Sequence, residues 1–231
     1  MSSKKNQPSL QDLASRIQLL AAKGRVITPQ QVRDLIVAMT AYFRFLLAEQ
    51  GYSERQVQAL ITKFRDAGRR SAPWKPTSSR VPGRPQDGTD GNRISRWLLP
   101  AGHKFYANEV DATLVEVKYY LQTLSMLEAP SPHPHLFQDD FGWLLGHSIQ
   151  PNTYFDPIQL IEIHFQAFIQ DPKLVQSGHL IPLDRGGKHV PDNAFLMLAR
   201  SNQLQGNLTL VELLQLMENI IHRHQLRPKP D

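Results

Sequence analysis

A histidine at 179, an asparagine fourteen residues later at 193 and a second asparagine nine further on at 202 fall inside one stretch, SGHLIPLDRGGKHVPDNAFLMLARSNQLQG, residues 177–206. A neutral imidazole can take a proton from water, and an amide oxygen is a donor that a hard divalent cation accepts without thiolate help. Together they suit hydrolysis of a phosphodiester, the cation steadying charge on the phosphate and on the leaving oxygen. Each residue also has a plainer use. His179 could cap a strand, Asn202 could be a surface amide, and Asn193 fits a loop tether better than a substrate contact. His189 could touch phosphate, brace the loop or support a neighbouring side chain. Arg185, Lys188 and Arg200 suit nucleic-acid phosphates, although basic residues on a turn and a helix are ordinarily just solvated.

The segment must fold back on itself for these groups to meet. Leu180, Ile181 and Leu183 read as a short strand broken by Pro182, Asp184 to Gly187 as a turn, and Ala194 to Leu198 as a second strand. Ala199 to Gln205 reads as a short helix closed by Gly206. This order sets His179 at the start of the first strand and Asn202 on a helix across the hairpin, facing one groove. Thr209-Leu210-Val211-Glu212 is a capping box. It opens a terminal helix to about His224, expected to turn Leu210, Leu213, Leu214, Met217, Ile220 and Ile221 inward.

On these residues the segment resembles the HNH, or ββα-metal, endonuclease family over roughly 175–207. His179 stands where that family has its general base, Asn193 matches its central asparagine, and Asn202 matches its last metal-binding His or Asn. Pro182, Gly186-Gly187, His189 and Asp192-Asn193 are also family-like. Two positions depart. Gly178 stands where many members carry a metal-binding Asp, and Ser201 stands where zinc-braced members carry a cysteine. Ser177-Gly178-His179 resembles the Arg-Gly-His of non-specific members, in which one Asn holds the ion. The resemblance implies a divalent metal ion, Mg²⁺ or Mn²⁺, no structural zinc, and DNA as substrate, with RNA left open. It is compatible with a restriction or defence role. A homodimer would let two such sites cut both strands, though no sequence feature demands one.

The rest of the chain must hold the substrate. Thr28-Pro29-Gln30-Gln31 and Ser53-Glu54-Arg55-Gln56 open two helices with apolar stripes, and an earlier helix is expected over 9–23. The two could form a helix-turn-helix reader, with Arg55, Lys63 and Arg65 exposed, or simply a packed pair. Residues 69–96 carry Pro73, Pro76, Pro82 and Pro85 and are rich in arginine, which excludes regular helix. This basic stretch, with Arg80 and Arg84, reads as a phosphate-tracking arm or as a solvated tether, and Trp74 favours docking. Helices are expected over 112–127 and 156–171. His147 and His164 read as interior histidines, His133 and His135 flank a proline, and His222-Arg223-His224 complements a helix C-terminus.

The expected fold is therefore α+β and mostly helical. It divides into a helical region 1–70, a basic loop or linker 71–97, a mainly helical substrate-holding region 98–172 and an HNH-like module 173–231. The 231 residues include no cysteine, which excludes disulfides, thiolate-held zinc and cysteine nucleophiles. A net charge of +5 favours polyanionic partners. No apolar run reaches the roughly 20 residues of a membrane span, so a cytoplasmic protein is expected. The rival to an endonuclease is a catalytically silent nucleic-acid-binding or interaction protein that keeps the hairpin as structure. A second rival is a helical scaffold whose basic face meets an acidic protein.

Overall fold

The computed structural model describes residues 8–21, 27–71, 93–132 and 139–226. Among them are eight α-helices and two two-stranded antiparallel sheets, a mostly helical α+β fold. Helix α1 (Leu10–Leu20) is opened by a Ser9/Asp12 capping box. Helix α2 (Pro29–Glu49) is opened by Thr28/Gln31 with proline in the first turn, and α3 (Glu54–Ala67) by Ser53/Gln56. In each box the cap hydroxyl and the third-residue side chain satisfy backbone N–H groups that would otherwise lack partners.

Helix α1 packs on α2, and α2 and α3 pack on α4 (Glu109–Leu124), on which every residue from Ala112 to Leu124 is buried. A helix enclosed on all sides must bond its polar groups inside the protein, and α4 does so mostly toward the C-terminal third of the chain. Lys118 Nζ donates to Pro191 O at 2.6 Å and sits 3.4 Å from the Phe195 ring centroid. The Tyr119 hydroxyl pairs with Ser177 Oγ, and Gln122 Oε1 accepts from Leu196 N at 3.0 Å. Phe43 and Phe64 meet Tyr120 edge-on, each with centroids 5.0 Å away. One apolar cluster runs from Leu10 on α1 to Leu196 near the end of the chain.

The basic stretch leaves and returns at one point. Strand β1 (Arg70–Ser71) pairs with β2 (Ile94–Ser95) in the register Arg70↔Ser95 and Ser71↔Ile94. Arg80, Arg84 and Trp74 lie outside the described residues, as do His133 and His135. A short helix α5 (Gly142–Leu145) follows, and the helix expected over 156–171 is reduced to α6 (Phe165–Gln170). The reason is Asp156, whose fully buried carboxylate accepts from the N–H groups of Ile158 and Gln159 and, through its other oxygen, from Leu198 N. That turns the chain instead of starting a helix. His164, expected inside, is exposed, while His147 is half-buried with Nδ1 on Ser148 O.

The hairpin consists of β3 (Val175–His179) and β4 (Ala194–Leu198), antiparallel, with His179 opposite Ala194. His179 therefore ends the first strand; the expected run at 180–183 lies beyond it. Pro182 and a left-handed Gly186, φ +85°, shape the turn. A Cβ at Gly187 would strike Ile181 O, so the backbone there approaches too closely for a side chain. Helix α7 (Ala199–Gln205) crosses the hairpin, and α8 (Leu210–Gln225) completes the described chain. Of the six residues expected to turn inward on α8, Leu213 alone is buried and Leu210 is half-buried.

Candidate functional site

His179 and Asn202 line one cavity of about 630 Å³, together with Lys63, Arg70, Arg93 and Arg96. Gln205, from the end of α7, holds the backbone of the strand end: its Nε2 donates to His179 O at 2.8 Å and to Leu180 O at 3.0 Å. Asn193 laces the turn. Its Oδ1 accepts from Ile181 N at 2.8 Å, and its Nδ2 donates to Ile181 O and Lys188 O, both at 2.9 Å. Asn193 is buried, 8% exposed, and its side chain is spent on the backbone that follows the histidine.

The imidazole of His179 is set by a chain of donors and acceptors. His189 Nε2 lies 2.8 Å from Gly68 O, a carbonyl that can only accept, so His189 carries its proton on Nε2. Burial holds His189 well below the usual histidine range, with the positive charge of Arg96 adding to the effect, so the ring is neutral and its Nδ1 is an acceptor. His179 Nε2, 2.9 Å from that Nδ1, must then be the donor. The proton-free nitrogen of His179 is Nδ1, to which no described residue donates. Burial and then Arg96 lower His179 to about 4. A ¹⁵N NMR titration is expected to find His179 in the Nε2–H tautomer and neutral down to about pH 5, with a midpoint near 4.

Gly68 is the anchor of this chain. A Cβ there would lie 2.7 Å from Glu116 Cβ and 2.9 Å from the α4 backbone, so only glycine lets the end of α3 sit against α4. Arg96, 7% exposed, donates to Gly68 O at 2.9 Å, Ala67 O at 3.1 Å and Phe105 O at 3.2 Å. The same carbonyl thus receives His189 and Arg96. Burial lowers Arg96 to about 10, which leaves it charged at neutral pH.

Asn202 is held by Gln176, whose Oε1 accepts from Asn202 Nδ2 at 2.8 Å. Among the described residues no group donates to Asn202 Oδ1, which lies beside Gly178, 3.2 Å from where a Cβ would stand there. That Cβ would also collide with Sδ and Cε of Met197, a fully buried side chain. A side chain at 178 would therefore have to displace the thioether end of Met197. Among the described residues no group of three or more His, Asp or Glu could hold a metal. Among the described residues, Asn202 Oδ1 is the amide oxygen beside His179 that a hard cation could take, and the carboxylates of Asp66 and Asp184 line the same cavity.

The other expected contacts fall elsewhere. His189 is fully buried with both nitrogens engaged, so it braces the imidazole at 179 and is out of reach of a phosphate. Arg185 pairs with Glu212 at 2.7 Å, and Arg185, Lys188 and Arg200 are exposed outside this cavity. The cationic wall comes instead from α3 and the two ends of the basic stretch. Arg70 donates to Arg93 O at 2.5 Å, and Arg93 Nη1 to Asp66 O at 3.1 Å. Arg70, Arg93 and Arg96 sat in the arginine-rich stretch of the sequence, and Lys63 was already marked on α3. Gln176 and Gln205 gave no signal.

No protein-family model matches the chain, and no curated protein matches it. A solved structure described as "Crystal structure of a type II restriction endonuclease" is similar in fold, with a TM-score of 0.51 and 17% sequence identity over 80% of this chain and 84% of that one.

Proposed function

We propose that the chain is a metal-dependent endonuclease of the HNH type that hydrolyses phosphodiester bonds in DNA. The observation that carries this reading is the tautomer chain Gly68–His189–His179, which leaves Nδ1 of His179 unprotonated on a residue that lines one cavity with Asn202, Lys63, Arg70 and Arg93. His179 Nδ1 accepts the proton of the attacking water. Asn193 fixes the loop beyond the histidine. Arg70, Arg93 and Lys63 orient the phosphate and offset its charge. A divalent cation, Mg²⁺ or Mn²⁺, would be held by Asn202 and would stabilise charge on the phosphate and the leaving oxygen. The fold likeness to a protein described as a type II restriction endonuclease supports a DNA substrate and a restriction or defence role.

Nicking of supercoiled plasmid tests the proposal. The wild type is expected to cut only with Mg²⁺ or Mn²⁺ present. Asn202→Ala is expected to raise the Mg²⁺ concentration needed for half-maximal cutting by at least ~10-fold, since it removes the amide oxygen assigned to the cation. A wild-type protein that binds DNA and never nicks it, with either ion, would establish the silent binding protein instead.

A further inference from the structure

We infer that α8 is the homodimer interface of this protein, pairing antiparallel with α8 of a second copy about a two-fold axis near Met217. The proposal stands apart from the endonuclease reading and concerns a surface the candidate site does not use. On a helical projection Leu210, Leu213, Leu214, Leu216, Met217, Ile220 and Ile221 form one face. The body of the protein covers only its beginning. Leu213 is buried, and Glu212 bonds back to Thr209 and to Arg185. Beyond that turn the face is open, with Leu214 at 54%, Met217 at 43%, Ile220 at 47% and Ile221 at 55% exposed. A contiguous apolar stripe of this kind on a monomer marks an interaction surface, and a 16-residue helix holds poorly in water on propensity alone.

Charge placement selects the occupant. The acidic residues of α8, Glu212 and Glu218, lie in its first two-thirds, and His222, Arg223 and His224 form its last turn. Among the described residues the side chains of Arg223 and His224 have no partner. Glu212 and Arg223 are eleven residues apart, close to three full turns, so they share one flank of the stripe. In an antiparallel pair centred between 217 and 218, Arg223 of each copy comes beside Glu212 of the other and shares that carboxylate with Arg185, and the two helix dipoles oppose. A parallel pair would set like charges side by side. The pattern is self-complementary, as a two-fold contact requires.

Sedimentation of the full chain tests this. Wild type is expected at the mass of two chains, and Leu214→Lys combined with Ile221→Lys is expected to weaken self-association at least ~30-fold with the circular dichroism unchanged. Because the chain has no cysteine, single thiols report geometry. Met217→Cys is expected to form an inter-chain disulfide under mild oxidation, and His224→Cys is not. A single-chain mass up to about 100 μM, a dimer indifferent to the double lysine variant, self-linking at both 217 and 224, or a monomer that instead binds anionic vesicles would each overturn the proposal.

Discussion

His179→Ala is expected to lower Mg²⁺-dependent plasmid cleavage by about 10³-fold, the size of effect that a positioned general base supplies. The loss should come without collapse of the site. The backbone of residues 179 and 180 is held by Gln205 and that of 181 by Asn193, neither of which needs the imidazole. Thermal melts of the variant, lowered by the loss of the partner of buried His189 but still one cooperative transition, check that point. The pH dependence has a definite sign. The neutral ring is the active form, so kcat/KM rises with pH through the His179 midpoint near 4 and is flat above it. A histidine at its ordinary value of 6.5 would still be rising at pH 6. Cleavage that is unaffected by His179→Ala would remove the residue from the chemistry altogether.

Arg96→Ala is expected to destabilise the protein by about 3 kcal/mol, read from urea unfolding at neutral pH. The guanidinium serves three carbonyls, those of Ala67, Gly68 and Phe105, in surroundings from which water is largely excluded. Truncation leaves those acceptors without that donor and opens a void among the end of α3, the second short strand and the loop before α4. The catalytic consequence runs in a different direction. Arg96 lowers both His179 and His189, so its removal raises them and moves the acid limb of the cleavage profile to higher pH. A variant as stable as wild type would show that the three bonds are dispensable.

Local signals were readable in the sequence because their physics is local. Thr28 with Gln31, Ser53 with Gln56 and Thr209 with Glu212 mark helix starts by groups three residues apart, and the structure begins helices at 29, 54 and 210. The spacing of 179 and 202 pointed to a common groove, and the two residues line one cavity. Strand β3 was hidden. Gln176-Ser177-Gly178 has no apolar alternation, because its side chains are occupied with Asn202 and Tyr119 and its glycine faces Met197. The helix expected from Asp156 failed because an acid that begins a helix and one that closes a turn look the same until its second oxygen finds Leu198. The brace on His179 was out of reach for another reason: Gly68 and His189 are 121 residues apart, and nothing local to either residue announces the other. The stripe on α8 was legible; its exposure was not, since periodicity tells which residues share a face and not what covers it.

The Ser201 hydroxyl, buried on the helix that crosses the hairpin, accepts from Gln159 Nε2 at 2.7 Å. Together with Asp156 on Leu198 N and the Tyr154 hydroxyl on Leu196 O, the segment 154–159 sutures the second strand and its helix with oxygen and nitrogen alone. The hairpin therefore does not travel as a self-sufficient cassette: cut out at residue 173, it would leave behind its suture, its Gly68 anchor and the α4 groups that receive it. The hairpin is thus held by hydrogen bonds to the body of the chain, from the end of α3, from α4 and from the segment 154–159.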